Sequence, residues 1–230
     1  MNLNKNSNTK ETMWQTKDVA VFDLDGTLIN SQSQYLFLKF LIKRGYVQRY
    51  RVIPLFFWFL MHRLGIVDSP NRAFAYALKI FRDINFRKLT ILAKEFTKSV
   101  LIECLNKEIV DILREHQKNK DCVVLISTSL DILVSEIAVF LEIEIYESTN
   151  IKTKDDKINT IEPLYGKSKV QRFEERLRKE GIKPLQLFVY TDNTSDIPLL
   201  SMATYPTVVD PKSKLERHAT KNSWQIIKLT

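Results

Sequence analysis

Cysteine is scarce in this chain of 230 residues, and its two cysteines, Cys104 and Cys122, lie too far apart for a metal or redox motif. Such sparse cysteine use is typical of proteins from a reducing compartment, so we expect a cytoplasmic location. Residues 1–16 are rich in Asn, Lys and Thr and contain no hydrophobic signal-peptide core. We therefore expect a flexible N-terminal lead there and not a targeting signal.

Long hydrophobic runs are also lacking. The most apolar stretch covers residues 52–61, and these ten residues between Arg51 and His62 are too few to span a bilayer. Two interpretations fit this stretch: a helix packed in the core of a helical segment, or an interfacial helix that inserts Trp and Phe among lipid acyl chains. No nucleic-acid recognition motif or isolated basic tail occurs, so we expect no nucleic-acid partner.

The net charge of +8 is concentrated in one part of the chain. Residues 31–105 contain 13 Lys and Arg but four Asp and Glu, a local net charge of +9, and they hold 14 of the 24 aromatic residues. The same segment has helical periodicity and no strand pattern. It therefore predicts a basic, aromatic-rich helical insert that meets an anionic partner, and peripheral contact with the inner face of an anionic membrane is one such use.

Three short apolar runs predict buried parallel strands, because they are continuously apolar and not alternating. They cover residues 18–23, 123–126 and 187–190. Further predicted elements are helices over 86–105, 106–118, 131–141 and 167–180, a helix start at Ser69-Pro70, strands within 143–161 around a turn at Asp155-Asp156, and strands at 206–209 and 225–227. The alternation predicts an α/β fold, with a doubly wound, Rossmann-like parallel sheet and an inserted all-helical segment.

The first predicted strand ends in two carboxylates, Asp23 and Asp25, followed by Gly26. A spacing of two on an extended chain points both side chains to the same side, and glycine allows a sharp turn after them. A calcium loop of the EF-hand type is excluded, because its sixth and twelfth positions would be Leu28 and Gln34 instead of Gly and Glu. The pair predicts a metal site, acid–base chemistry or both, and a plain turn is the alternative.

The other two predicted strands also end in polar groups, Ser127 after the second and Asp192 with Asp196 after the third. The carboxyl ends of parallel strands meet at one edge of the sheet, so we expect these groups to converge. A helix start between them adds Lys167 and Lys169, and no catalytic His or Cys accompanies the set. Acids, a hydroxyl and a lysine suit phosphoryl transfer, in which acids bind Mg²⁺ and one carboxylate attacks.

Four motifs follow one another in the order of a known family. They are Asp23-Leu-Asp25-Gly-Thr27, Ser127 after a hydrophobic strand, Gly166-Lys-Ser-Lys169-Val, and Asp192-Asn-Thr-Ser-Asp196-Ile-Pro-Leu-Leu. With these motifs the chain resembles the haloacid dehalogenase-like (HAD) superfamily of hydrolases, in its phosphoserine-phosphatase-like branch with a helical cap. The resemblance covers residues 18–228.

The resemblance implies a role for each acid. Asp23 would be the nucleophile that forms an aspartyl-phosphate, and its ordinary pKa of about 4 would leave it ionised at neutral pH. Asp25 would be the general acid for the leaving alcohol and then the base for water. Mg²⁺ would be held by Asp23, the main-chain carbonyl of Asp25 and Asp192, with Asp196 acting through a water molecule.

The phosphate ligands implied by the resemblance are the hydroxyls of Ser127 and Thr27 and the ammonium group of Lys169. Lys167 is the rival of Lys169, although the motif aligns with Lys169. The resemblance also divides the chain into a lead at 1–16, a core of 17–30 and 106–230, and a cap at 31–105.

The chain departs from the family pattern at three positions. Thr191 and Asn193 flank Asp192, where the family usually has Gly or Ser before the acid and Ser or Gly after it. Gln32 stands where phosphoserine phosphatases have a Glu that grips the substrate's ammonium group. We therefore expect a Mg²⁺-dependent phosphatase for a small-metabolite or lipid phosphate of unknown identity. The alternative is a weakly active or inactive phosphate-binding or membrane-binding module on the same core.

Overall fold

The computed structural model describes residues 14–55, 57, 61 and 71–229. Its strands are β1 (Gln15–Phe22), β2 (Cys122–Leu130), β3 (Ile145–Lys154), β4 (Lys157–Glu162), β5 (Ile182–Thr191), β6 (Tyr205–Val209) and β7 (Gln225–Ile227). The helices described in full are α1 (Ser33–Lys43), α2 (Asn71–Phe81), α3 (Phe86–Phe96), α4 (Lys107–Lys118), α5 (Asp131–Phe140), α6 (Lys167–Glu180), α7 (Ile197–Leu200) and α8 (Ser213–Lys221).

The seven strands form one sheet in the order β4-β3-β2-β1-β5-β6-β7. All neighbours are parallel except β4, which runs antiparallel to β3. The chain builds outward from β1 on one side through β2 and β3, then returns to add β5 on the other side. The predicted doubly wound parallel sheet is therefore confirmed, and β1 lies at the point where the winding reverses, where open α/β sheets bind their ligands.

Strand β1 is apolar throughout its buried half because it has a hydrophobic core on each side. Ala20 and Phe22 pack into one core, together with side chains from α1, α3, α4 and α5. Val19 and Val21 pack into the other, with side chains from α6 and α8. This two-sided burial explains why the strand lacks the alternation of a half-exposed strand.

The helical segment between β1 and β2 packs around its own aromatic side chains. Phe37 of α1 and Phe96 of α3 are fully buried, with ring centroids 5.2 Å apart. At its beginning, α3 contacts the β3–β4 turn, where the Phe86 amide donates a hydrogen bond to the Asp156 carbonyl at 2.8 Å. An ion pair between Arg87 and Asp156, 3.3 Å long, spans the same contact. The hairpin therefore supports one end of the helical segment.

Most predicted elements match the structure, with differences at their ends. Strand β1 begins at Gln15, which pairs with Ile182, so Gln15 and Thr16 belong to the sheet and not to a lead. The helix predicted over 86–105 is interrupted, because α3 ends at Phe96 and a π-helical turn and a 3₁₀ turn follow it. Strand β2 continues through Ser127, with a register shift against β3 between Ile126 and Leu130.

Some predictions concern residues outside the described part of the chain. These are the lead up to residue 13, the helix start at Ser69-Pro70, and residues 56 and 58–60 of the apolar stretch. Among the residues that are described, no helix combines the length and the apolar character needed to cross a lipid bilayer.

Candidate active site

Except for Lys169, the predicted site residues lie near or soon after the carboxyl ends of three neighbouring strands. Phe22, the last residue of β1, pairs with Leu125 on one side and Tyr190 on the other. The next residue, Asp23, donates a main-chain hydrogen bond to the Tyr190 carbonyl at 3.0 Å. Strand pairing therefore brings the end of β1 beside Ser127 of β2 and the loop after β5.

Lys169 joins two of the carboxylates. Its Nζ lies 3.1 Å from Oδ1 of Asp23 and 2.7 Å from Oδ2 of Asp196, and its side chain is fully buried. Lys169 is in the first turn of α6, which follows Gly166 at a positive φ of 58°. Lys167 is exposed. Of the two lysines that the sequence leaves as rivals, Lys169 is therefore the one in contact with the acids.

The two unusual residues beside Asp192 organise the loop that carries Asp196. The Thr191 hydroxyl donates to Oδ2 of Asp196 at 2.9 Å, and the same hydroxyl accepts the Asn193 amide at 3.1 Å. The Asn193 side chain in turn accepts the Ser195 amide at 3.0 Å and caps the following 3₁₀ turn. These departures from the family pattern thus orient Asp196 instead of disrupting the loop.

Gly26 lets the turn after β1 approach Asp192 closely. Its φ is +78°, and a Cβ atom built at this position would lie 2.3 Å from Oδ2 of Asp192. No side chain larger than hydrogen fits without moving that carboxylate. Glycine at position 26 therefore allows the motif that contains Asp23 and Asp25 to contact the motif that contains Asp192.

Asp25 is surrounded by hydroxyl groups that the sequence motifs do not include. Its Oδ1 accepts the Ser33 amide at 2.5 Å, and its Oδ2 accepts the hydroxyls of Ser129 at 2.5 Å and Ser33 at 3.1 Å. Ser127 lies one step further away, since its hydroxyl accepts the Ser129 amide at 3.0 Å. Ser129 could have been found from its spacing of two after Ser127, whereas no sequence signal identifies Ser33.

Burial changes the protonation of the acids. Burial raises the pKa of Asp23 to about 8; Lys169 opposes this rise, and the charges of Asp196, Asp192 and Asp25 add to it. The prediction of an ordinary pKa of about 4 is therefore wrong for the site without a cation.

The other groups of the site are shifted for related reasons. Burial, followed by the charge of Asp196, raises the pKa of Asp192 to about 7. Burial also raises the pKa of Asp25, against its hydrogen bonds from Ser129 and Ser33. For Lys169, burial lowers the pKa, but the charges of Asp196 and Asp23 outweigh that effect and raise it.

The donor set fits a small divalent cation. Oδ1 of Asp192 is buried and has no hydrogen-bond partner among the residues that the structure describes, although Asp192 is an acid surrounded by other acids. Mg²⁺ prefers one or two carboxylates and keeps several water molecules. Within the described ranges no three His, Cys, Asp or Glu side chains form a ready-made metal cluster. The expected ligands differ from such a cluster, because two carboxylates and a main-chain carbonyl would bind directly.

Thr27 stands apart from the other predicted site residues. It is fully buried, and its hydroxyl has no hydrogen-bond partner in the described part of the chain. Its main-chain carbonyl accepts a hydrogen bond from the side chain of Asn106 at 3.3 Å. The described hydrogen bond thus links the main chain of Thr27 to the start of α4, and its hydroxyl makes none to the carboxylates.

A comparison of the sequence with known protein families identifies the family of this chain. The sequence model of the family described as haloacid dehalogenase-like hydrolase matches residues 20–201, which include every predicted site residue. The chain belongs to this family. The arrangement of Asp23, Lys169 and Asp196 around the central strand is thus part of a HAD hydrolase.

Relatives and solved structures similar to this HAD hydrolase cover almost all of it. The inhibition of morphological differentiation protein of Streptomyces azureus is 26% identical over 92% of this chain and 78% of the relative. A histidinol-phosphatase of Neisseria meningitidis is 24% identical over 92% of this chain and 98% of the relative.

Among solved structures, a protein of unknown function from Bordetella pertussis has a TM-score of 0.84 at 25% identity, covering 94% of this HAD hydrolase and 100% of that chain. A substrate-bound phosphoserine phosphatase has a TM-score of 0.67 at 16% identity, with 93% of each chain covered. The latter similarity shows a shared fold.

Proposed function

We propose that this HAD hydrolase is a Mg²⁺-dependent phosphatase, which cleaves a phosphomonoester through a phosphorylated intermediate on Asp23. The observation that carries the proposal is the buried cluster in which Lys169 contacts Asp23 at 3.1 Å and Asp196 at 2.7 Å, beside Asp192. A fully buried lysine between two acids is costly to desolvate, so a site that handles anionic groups accounts for it better than stability does.

The first step transfers the phosphoryl group to the protein. A carboxylate oxygen of Asp23 attacks phosphorus, the bond from phosphorus to the ester oxygen breaks, and the leaving oxygen takes a proton from Asp25. Asp25 suits this role because burial raises its pKa, which favours the protonated form. The product alcohol then leaves, with Asp23 carrying the phosphoryl group.

The second step returns Asp23 to its original state. Asp25, now ionised, removes a proton from a water molecule as the water oxygen attacks phosphorus. The bond between phosphorus and Asp23 breaks and inorganic phosphate forms. Asp25 ends the cycle protonated, so the same carboxyl group acts as an acid and then as a base.

The remaining residues would hold the charge of the phosphoryl group. A bound Mg²⁺ would neutralise phosphate oxygens during transfer, held by Asp23, Asp192 and the Asp25 carbonyl, with Asp196 acting through water. The ammonium group of Lys169 and the hydroxyl of Ser127 would bind phosphate oxygens, and Thr27 is a further candidate phosphate ligand on the resemblance alone.

We propose a phosphorylated small molecule as substrate, in the cytoplasm, with residues 31–105 acting as a cap over the core. Two of the similar proteins bear the names histidinol-phosphatase and phosphoserine phosphatase. Gln32 argues against phosphoserine itself, because a neutral amide attracts an ammonium group weakly. Membrane contact and a lipid phosphate stay predictions, since residues 56 and 58–60 of the apolar stretch lie outside the described residues.

The test uses p-nitrophenyl phosphate with Mg²⁺ and purified protein. We expect hydrolysis that needs Mg²⁺ and that Asp23→Asn abolishes, because an amide cannot attack phosphorus. Asp111→Asn is the matched control, since Asp111 is exposed on α4, and it should keep wild-type activity. Full turnover by Asp23→Asn would exclude Asp23 as nucleophile. Mg²⁺ binding without hydrolysis of any phosphate in a broad panel would favour the non-catalytic alternative.

A further inference from the structure

The carboxylate of Asp25 is held by one small group of donors. Three polar contacts reach it, from the Ser33 amide at 2.5 Å, the Ser33 hydroxyl at 3.1 Å and the Ser129 hydroxyl at 2.5 Å. The two hydroxyls also lie 2.5 Å apart, and both serine side chains are fully buried. Since each hydroxyl has one hydrogen, the pair shares two hydrogens among these contacts. Both oxygens of Asp25 therefore have partners, and rotation of the carboxylate would break at least one of these bonds.

Ser33 is the first residue of α1, and this position explains its free amide. The first amides of a helix have no partner within the helix, so they are available to a carboxylate. The preceding residue, Gln32, has extended dihedral angles and makes no side-chain cap. The carboxylate of Asp25 therefore accepts the hydrogen bond of the Ser33 amide, in place of a side chain at Gln32. Its negative charge is also favourable beside the positive end of the helix dipole.

Ser129 lies in an irregular part of β2. The pairing of β2 with β3 shifts register between Ile126 and Leu130, which bracket Ser127 and Ser129. The side chain of Gln34, in the first turn of α1, spans the gap to β2, with its Nε2 3.2 Å from the Thr128 carbonyl and 3.4 Å from the Ser129 hydroxyl. The start of α1 and the end of β2 are therefore joined around Asp25.

We propose that Ser33 and Ser129 are positioning residues, which aim the carboxyl group of Asp25 at the leaving oxygen of the substrate. This proposal rests on the proposed phosphatase function. Neither serine needs to touch the substrate, because each acts through its hydrogen bond to Asp25. Since Ser33 opens the first helix of the helical segment, the same contacts connect the orientation of Asp25 to the position of α1.

The proposal predicts an effect that depends on the leaving group. Phenyl phosphate and p-nitrophenyl phosphate have nearly the same shape, but phenolate is the poorer leaving group and gains more from a proton delivered by Asp25. General acid catalysis contributes about 10²–10⁴-fold in rate, so partial misplacement of the acid should cost about ten-fold. We therefore expect the double variant Ser33→Ala with Ser129→Ala to lose about ten-fold more kcat/KM on phenyl phosphate than on p-nitrophenyl phosphate. The constant kcat/KM is the readout because it reports the first step, whereas the second step is the same for both substrates.

Ser33→Pro extends the test to the main-chain amide. Proline is tolerated at the first position of a helix, and the extended backbone of Gln32, with ψ of 106°, suits a residue before proline. This variant removes both the amide and the hydroxyl donor of position 33 and is compatible with α1. Because its ring Cδ takes the place of the amide hydrogen that faces Oδ1 of Asp25, it also pushes the carboxylate away. We expect a larger selective loss on phenyl phosphate than Ser33→Ala produces.

The controls separate positioning from a general structural effect. Ser99→Ala removes an exposed hydroxyl that donates within the helical segment to the Glu95 carbonyl, and it should leave kcat/KM for both substrates unchanged. Urea unfolding checks that each variant is folded, and calorimetry should find the wild-type Mg²⁺ affinity. Equal losses on the two substrates would overturn the positioning role of the serines and leave the phosphatase proposal standing. A wild-type protein that cleaves neither substrate, nor any phosphate of the broad panel, would overturn both.

Discussion

Replacing Gly26 with alanine tests how closely the first and last motifs approach each other. The new Cβ would lie 2.3 Å from Oδ2, 2.4 Å from Cγ and 2.9 Å from Oδ1 of Asp192. Ordinary contacts begin at 3.4 Å, so the carboxylate or the turn must move by about 1 Å. The φ of +78° adds a second cost, because residues with a side chain rarely adopt this conformation.

The variant Gly45→Ala is a control that separates the cost of the steric clash from the cost of the backbone conformation. The φ of Gly45 is +77°, almost the same as that of Gly26, but a Cβ atom built there meets nothing within 4 Å. Gly45→Ala should therefore lose only the conformational term, about 1–2 kcal/mol in the free energy of unfolding. Gly26→Ala should lose about 1–3 kcal/mol more, the usual cost of forcing extra volume into a packed site.

The affinity for Mg²⁺ should fall in Gly26→Ala and stay unchanged in Gly45→Ala. Metal ligands tolerate displacements of about 0.2 Å, so a shift of about 1 Å in the Asp192 carboxylate should weaken Mg²⁺ binding at least ten-fold. Urea unfolding measures the first effect and isothermal titration calorimetry the second. The reasoning is refuted if Gly26→Ala and Gly45→Ala lose equal stability and bind Mg²⁺ as tightly as the wild type.

Three further predictions concern Lys169, the pH dependence of Mg²⁺ binding and Cys122. Lys169→Met should destabilise the protein by about 3–5 kcal/mol at pH 8, because Asp23 and Asp196 lose their shared cation while buried. Since burial raises the folded-state pKa of Asp23, protonation relieves that loss, and urea unfolding should find part of the stability restored at pH 6. Mg²⁺ affinity should rise between pH 6 and 8.5, and binding should release protons, because the pKa values of Asp192 and Asp23 lie at about 7 and about 8 without the cation. Calorimetry in two buffers of different ionisation enthalpy measures the proton release. An affinity that does not change with pH would contradict this prediction. Cys122 should resist iodoacetamide at pH 8 in the folded protein and react on unfolding, because burial raises the pKa of its thiol to about 11. Rapid labelling of Cys122 in the folded protein, detected by mass spectrometry, would contradict this prediction.

The sequence predicts the sheet well because parallel strands buried on both faces are continuously apolar. Strand β1, the first half of β2 and the second half of β5 can be read from such runs, and the amphipathic helix α6 is predicted with its observed bounds. The order of the chemical groups along the chain also identifies the HAD family. These features are local in sequence or depend on one periodicity, so they need no knowledge of the fold.

Contacts between segments distant in sequence required the tertiary structure. From residue types alone, Lys167 and Lys169 are rivals, and only packing of α6 against the sheet buries Lys169 between two acids. Ser33 has no motif, because its role depends on where α1 begins relative to Asp25.

The pKa of Asp23 is another property that the tertiary structure determines and the sequence does not. Composition assigns this carboxyl group an ordinary value, but its protonation depends on burial and on the distances to neighbouring charges. Residue order determined which chemical groups this protein has and at which strand ends they lie. Only the folded chain decided which of them meet, because dielectric environment and charge separation are properties of three-dimensional packing.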